Sequence, residues 1–337
     1  MYQNQFHLAE KYTSQTESVP CNLCGATNYE VFCDRERFGL PLQTVICKEC
    51  GLMYINPRPT KEQYAEFYKS DYRKVVSGSD EGDPVKFDEQ VAFARRVILP
   101  LLGQYASQFS PTTILDLGCS YGGILYALRQ NFPASVGYGL EPLVKISQYA
   151  RQRTGATVYT TLLEDFEPDQ KYNLIVFPRS LNHSLDPRAN LLKIRAMLSE
   201  DGLFILTLED PTTKMLRLPL DTVTEMTHPY MLAPETIQYL LDQVGLEVLG
   251  YEDGLLDARR MARHDFRKVA QENMRLLARR GEPGKRRYPK PDYTEILARI
   301  RANQQAYRRY GNFIEKWRHP TFWMRAYRKI LNTLGLW

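Results

Sequence analysis

Residues 112–130 read TTILDLGCSYGGILYALRQ. The stretch passes from an apolar run, through Asp116, Gly118, Gly122 and Gly123, into apolar positions at helical spacing. That pattern predicts a strand ending at Asp116, a helix beginning near Tyr121, and between them a turn whose backbone approaches a ligand. Gly118 and Gly122 permit the approach because they carry no Cβ. A dinucleotide site would set a third glycine where Ser120 stands and an acidic residue after the next strand. Glu141, 25 positions beyond Asp116 in GYGLEP, meets the second requirement and is placed to accept from two ribose hydroxyls.

Downstream of the turn, short apolar runs alternate with amphipathic ones as far as about residue 252: SVGYGL, ATVYT, YNLIVF, GLFILTL and LEVLGY. The alternation predicts an open, largely parallel α/β sheet, in which ligands sit at the carboxyl ends of the strands. Upstream, KEQYAEFY and FDEQVAFARRVILPLL show helical spacing over residues 61–107, broken by the polar loop SGSDEGDP. Three segments are expected: a cysteine-bearing module over 18–57, the α/β domain with its helical lead-in over 58–257, and a basic helical extension over 258–337.

The extension stands apart by charge. Residues 258–337 hold 21 Lys/Arg against 6 Asp/Glu, a net of +15, which leaves −10 for the rest of a chain whose total is +5. Such asymmetry marks a separate unit facing an anionic partner. Tyr293, Ile296, Ile300, Asn303, Tyr307, Tyr310, Ile314 and Trp317 recur at 3-4-3-4 spacing, a stripe that needs a partner in the chain or in a second copy. A helix over 320–337, with Phe322, Trp323, Tyr327, Ile330, Leu331 and Leu334 on one face and Arg325, Arg328 and Lys329 at its edge, could lie on an anionic bilayer or pack on its own domain. The longest apolar runs are too short to cross a membrane. MYQNQFHLAEKYTS has neither part of an export signal, so the expected location is the cytoplasm, with peripheral contact at the inner face of the membrane through 320–337.

Five of the six cysteines fall between positions 21 and 50, and a reducing compartment favours metal binding over disulfides. CNLC (21–24) and CKEC (47–50) form two CxxC pairs separated by 22 residues. Each pair grips one ion with two thiolates, so Cys21, Cys24, Cys47 and Cys50 predict a tetrahedral structural Zn²⁺ site with no open position for catalysis. Cys33 breaks the spacing and is read as a bystander.

With Asp116, Gly118 and Gly122 on the motif (D/E)xGxGxG, and Ser120 at its middle glycine, the chain resembles class I S-adenosylmethionine-dependent methyltransferases. The resemblance implies a Rossmann-like seven-stranded sheet, S-adenosyl-L-methionine on Asp116, Gly118, Ser120, Gly122 and Glu141, and an adenine contact from Asp165, with Glu164 as its rival. The family's ligand has no phosphates, so a serine is tolerated in the turn if its φ stays negative. YNLIVFPRSLNHSLDP looks like the fourth-strand motif, with Asn173 where an aspartate is frequent and Asn182 in place of the glutamate before His183. Together with the cysteine pairs and NPRPTKEQYAEFYKSDY, residues 18 to about 252 are similar to zinc-ribbon methyltransferases acting on nucleotide sugars and surface polysaccharides. The C-terminus departs from the sugar C-methyltransferases, which carry a second α/β domain there.

Methyl transfer to a hydroxyl or an enolisable carbon needs a base. His183, after the fourth strand, is the expected base and His228, in EMTHPYMLAPETI, the residue positioning the acceptor; Tyr230 is a further candidate, and Tyr68 and Tyr72, on a lead-in helix that can cap the cofactor in this fold, are read chiefly as packing residues. The expected partner is a small-molecule or glycan acceptor, with self-association through the 291–317 helix. An RNA methyltransferase is less favoured because the (D/N)PP(Y/F) run of base-amino methylation is missing, and an inactive cofactor-binding scaffold is the third reading.

Overall fold

The computed structural model describes residues 10–72, 84–216, 218–253, 274–283, 285 and 287–311. Short strands open the chain: β1 Thr16–Glu17, β2 Tyr29–Cys33, β3 Thr44–Cys47, β4 Met53–Ile55 and β5 Arg58–Pro59. The two CxxC knuckles share one hydrogen-bond pattern. Cys21 N–H reaches Ala26 O and Gly25 N–H returns to Cys21 O, while Cys47 N–H reaches Leu52 O and Gly51 N–H returns to Cys47 O, all at 2.8–2.9 Å. Tight turns of this kind aim both thiols of a pair the same way.

A helix over Lys61–Ser70, capped where the Thr60 hydroxyl accepts from Gln63 N–H, follows this module. A second runs from Pro84 through a π turn at Ala94–Ile98 into Leu99–Tyr105. Val97, Ile98, Leu101 and Leu102 bury their apolar edge against Ile114, Leu125, Leu174 and Val176, covering one face of the main sheet. Burial of this kind contributes about 1.5–3 kcal/mol for each such side chain.

The main sheet consists of β6 Thr113–Leu117, β7 Val136–Leu140, β8 Thr157–Tyr159, β9 Tyr172–Pro178, β10 Leu198–Leu208, β12 Leu246–Asp253 and β13 Met274–Arg280; β11 is Tyr230–Met231. Its order is β12-β13-β10-β9-β6-β7-β8. Strands β6 to β10 pair in parallel and β13 lies antiparallel to both its neighbours. The chain leaves β6 towards β7 and β8, then returns to place β9 on the other side. The order therefore reverses at β6, and the crevice at the carboxyl ends of β6 and β9 is the expected ligand site. This is the Rossmann-like seven-stranded sheet expected from the sequence.

Asn173 shows why the start of β9 carries an amide. Its Oδ1 accepts from the Thr112 and Thr113 amides at 3.3 and 3.2 Å, and its Nδ2 donates to Ser199 Oγ at 3.1 Å. An aspartate could accept but could not donate. The residue ties β9 to the edges of β6 and β10 at the end of the sheet away from the glycine turn.

Two readings of the sequence need correction. Residues 274–280, read as part of a helical extension, form β13 at the interior of the sheet. Met274, Leu276, Leu277 and Ala278 are buried, and Arg275 and Arg279 stand opposite Glu252 and Glu247 of β12, with N···O distances of 3.2 Å. Cross-strand pairing with acids balances the charge of the arginines whose density gave the stretch its basic, helical look. Nor does the cysteine module close on itself. Its sheet has the order β11-β4-β3-β2, so the fourth strand arrives from the segment after β10.

The stripe beginning at Tyr293 finds its partner inside the chain. On the helix Tyr293–Ala306, Ile296, Leu297 and Ile300 pack with Ile46, Met53, Met215, Val223 and Met231. Asn303 and Gln304 donate to the carbonyls of Thr212 and Leu218 at 2.8 and 2.9 Å. Ile314, Trp317 and the 320–337 helix lie outside the described residues. Among the described residues no helix is long and apolar enough to cross a membrane.

Candidate functional site

At the carboxyl end of β6 the chain turns through Gly118 (φ 69°), Ser120 (φ 50°) and Gly122 (φ 83°) into the helix Gly123–Asn131. A Cβ on Gly118 would lie 2.9 Å from Ser180 Oγ, so the glycine lets the turn pack closely beside the end of β9. Ser120 does not hold the negative φ expected of it. It occupies the left-handed region, at a cost of about 1–2 kcal/mol for a residue with a Cβ. Gln90, which the sequence did not single out, braces this turn: its Nε2 donates to Cys119 O at 3.4 Å and its Oε1 accepts from Gly123 N–H at 3.0 Å.

Asp116 is fully buried beneath the turn, where the Leu125 backbone N–H faces its carboxyl. Burial pushes its carboxyl well above the usual range, with Glu141 adding to the rise. Glu141 follows β7 and is 4% exposed; its Oε1 accepts from Leu143 N–H at 2.9 Å. Asp165 and Glu164 are both exposed, and Glu164 accepts from Asn190 Nδ2 at 2.8 Å. A turn without a Cβ at Gly118 and Gly122 and a carboxylate at the tip of the neighbouring strand suit a ligand that carries a ribose and approaches the backbone closely. These residues fit S-adenosylmethionine.

Beyond the end of β9 two histidines meet, with ring centroids 4.6 Å apart. His183 Nδ1 lies 2.8 Å from Thr227 O and 3.3 Å from the Tyr68 hydroxyl. Tyr72 closes over it edge-on at 5.8 Å. Burial, followed by the proximity of His228, pushes the His183 imidazole down to about 3, so it is neutral at physiological pH. Its Nδ1–H then donates to the Thr227 carbonyl. His228 Nδ1 lies 2.6 Å from Glu225 Oε1, an acid that is 6% exposed and whose other oxygen receives Arg37 Nη1 at 2.7 Å. Burial opposes ionisation of Glu225, but His228, Lys214 and Arg37 outweigh it and hold the carboxyl well below the usual range.

Sequence reasoning brought both histidines to this place and passed over Glu225. The signal for it was the i, i+3 spacing in EMTH. A cleft of about 20 Å³ opens beside the pair, lined by Asn182, Glu209, Lys214, His228 and Tyr230 among others. Asn182 presents a buried Oδ1 that has no partner among the described residues. The Tyr230 hydroxyl is held by Arg58 Nη1 at 3.2 Å.

The thiols of Cys21, Cys24, Cys47 and Cys50 converge, all four Sγ lying within 4.8 Å of one another. Cys21 and Cys50 stand 3.4 Å apart, Cys24 and Cys47 3.5 Å. Tetrahedral zinc with Zn–S bonds of about 2.3 Å needs sulfurs roughly 3.8 Å apart, so small relaxation would complete the site. Cys33 is turned away, donating to Arg35 O.

Residues 87–250 match the family described as "Methyltransferase domain". The tRNA (guanine-N(7)-)-methyltransferase of Bombyx mori is 35% identical over 79 residues, which are 23% of this chain and 30% of that protein. Among solved structures, the plantazolicin methyltransferase BamL, in complex with a triazolic desmethylPZN analog and SAH, has a TM-score of 0.49 at 15% identity, covering 65% of this chain and 95% of that one. The N-methyltransferase NodS from Bradyrhizobium japonicum WM9 has a TM-score of 0.42 at 16% identity over 57% of this chain and 98% of its own.

Proposed function

We propose that this chain, an S-adenosylmethionine-dependent methyltransferase by its domain over residues 87–250, methylates a sugar-type small molecule, either a nucleotide sugar or a glycan carried on a lipid. The observation that carries the reading is the Glu225–His228 pair at the end of the sheet where the acceptor would lie. A carboxylate on Nδ1 fixes the tautomer and leaves Nε2 to take a proton, the arrangement by which a histidine becomes a directed general base. That is the equipment for an acceptor that must lose a proton, such as a hydroxyl or a carbon beside a carbonyl.

When bound, S-adenosylmethionine supplies an electrophilic methyl group on a sulfonium. Gly118, Ser120 and Gly122 would hold it by backbone, Glu141 by its ribose hydroxyls, and Asp116 from beneath. His228 takes the acceptor's proton at Nε2 while Glu225 stabilises the imidazolium that forms. His183, neutral and donating to the carbonyl next to His228, fixes the backbone of the base and walls off water together with Tyr68 and Tyr72. This reverses the assignment expected from the sequence, since a histidine whose charged form is disfavoured by burial makes a poor base at neutral pH.

A second reading has a specific observation behind it: the short likeness to tRNA (guanine-N(7)-)-methyltransferases, whose namesake atom is a nitrogen with a free lone pair. Methylation there needs no base. A tritiated-methyl transfer assay against total nucleotide sugars, lipid-linked glycans and RNA separates the two; label in RNA alone would refute the sugar reading.

Glu141→Ala is expected to weaken S-adenosylhomocysteine binding by about 1.5–3 kcal/mol, the range for hydrogen bonds to a charged group. Gly118→Val, with a branched side chain forced against Ser180 at positive φ, should abolish it. Titration calorimetry with unchanged affinity in both variants would remove the cofactor from this crevice.

A further inference from the structure

The loop that carries His228 is gripped from outside the main sheet. Arg37 Nη1 donates to Glu225 Oε2, the oxygen opposite the one that faces His228. Glu36, 1% exposed, accepts from Met226 N–H at 2.9 Å, and its other oxygen accepts from Phe38 and Leu40 N–H at 2.7 and 3.2 Å. The Arg37 amide donates to Thr224 O at 2.8 Å and the Ile55 amide to Pro229 O at 2.9 Å. Residues 224, 225, 226 and 229, on both sides of His228, are thus each bonded to the cysteine module.

A loop that only had to be covered could be covered by apolar side chains, without the desolvation cost of burying a carboxylate. What charged partners add is direction. With one Glu225 oxygen on Arg37 and the other on His228, the carboxylate cannot rotate, and the hydrogen bond it accepts keeps the imidazole proton on Nδ1.

We propose that Arg37 and Glu36 are positioning residues for the Glu225–His228 pair, so that the N-terminal module completes a reactive centre that the sheet only begins. The proposal rests on the reading of His228 as the base. Arg37 sets the rotation of the Glu225 carboxylate, and Glu36 fixes the height of the turn between Glu225 and His228 through the Met226 amide. Neither residue touches the acceptor.

The test uses the full chain with ¹⁵N-labelled histidine rings, observed by long-range ¹H–¹⁵N correlation at mildly alkaline pH, with His228 assigned through His228→Gln. Wild type should show a single tautomer with its proton on Nδ1. Arg37→Met should lose that signature for a mixture dominated by the Nε2–H form that free imidazole side chains prefer, while the His183 ring keeps its signals. Arg37→Lys should regain most of the wild-type pattern, which a loss of packing alone would not explain. A folded Arg37→Met with the wild-type His228 tautomer overturns the proposal. If Arg37→Met does not fold, Glu36→Gln decides by the same measurement: its amide N–H₂ group would face the Met226 or Phe38 donor, and an unchanged tautomer overturns the proposal equally. The tautomer is read without any acceptor, so this result is independent of whether His228 proves to be the base, which the transfer rate of His228→Ala judges.

Discussion

His228→Ala is expected to lower single-turnover methyl transfer about 10²–10⁴-fold and to leave affinity for S-adenosylhomocysteine nearly unchanged. The size is the usual contribution of a general base. The split follows from position, because His228 sits in the loop after β10 while the groups that would hold the cofactor, the glycine turn and Glu141, follow β6 and β7. His183→Ala should cost less and should keep the pH profile, since an imidazole pushed down to about 3 does not change charge across the neutral range. The measurement is single-turnover transfer from acid to mildly alkaline pH, on the acceptor that labels in the panel. If both variants keep near-normal rates with one profile, the acceptor needs no base here, and the likeness to guanine-N7 enzymes becomes the better guide.

Loss of the metal should have the largest effect on stability. The purified chain is expected to hold about one zinc, and Cys47→Ser to lose it together with most of the folding free energy of the module. Structural zinc sites of this ligand type bind with an apparent free energy of about 10–16 kcal/mol, and that binding is folding energy because the site does not exist in the unfolded chain. Without the ion four thiols share one small volume: hydrogen bonds from Cys21 and Cys50 hold the Cys47 thiol down, and the Cys21 thiol is pushed up in turn. Only a cation lets all four ionise together. Metal analysis by mass spectrometry, with chelator titrations followed by circular dichroism, checks this. S-adenosylhomocysteine binding should survive in part, because the glycine turn makes its bonds within the main sheet and to Gln90. Stoichiometric zinc in a Cys21→Ser, Cys47→Ser double variant would sink the assignment.

The crevice and the cysteine cluster were legible because both announce themselves over short stretches. The turn after β6 is a run of glycines at the end of an apolar strand, and the knuckles are two CxxC pairs. Strand β13 was hidden because its Arg275, Arg279 and Arg280 suggested a helix, and only Glu252 and Glu247, brought alongside by tertiary pairing, make them strand residues. The positive φ of Ser120 was unreadable for a related reason: backbone conformation in a braced turn is set by distant partners such as Gln90. Arg37 and Glu36 carried no signal at all. Their role exists only where the loop between β10 and the helix Pro234–Gln243 folds back on them, nearly 190 positions along the chain in the contacts to Glu225 and Met226.

The pairing of Tyr54 with Tyr230 also has a consequence for biosynthesis. At about 5–20 residues per second, roughly 10–35 s separate the emergence of β4 from that of β11. For that interval the nascent strands β2–β3–β4 present an open edge and four unpaired thiols to their surroundings. A free edge recruits other strands and free thiols oxidise. Metal captured by the knuckles during translation would close the thiols first and hold the hairpin ready for its last strand. Zinc supply during synthesis, more than stability of the finished enzyme, would then set the yield of active protein.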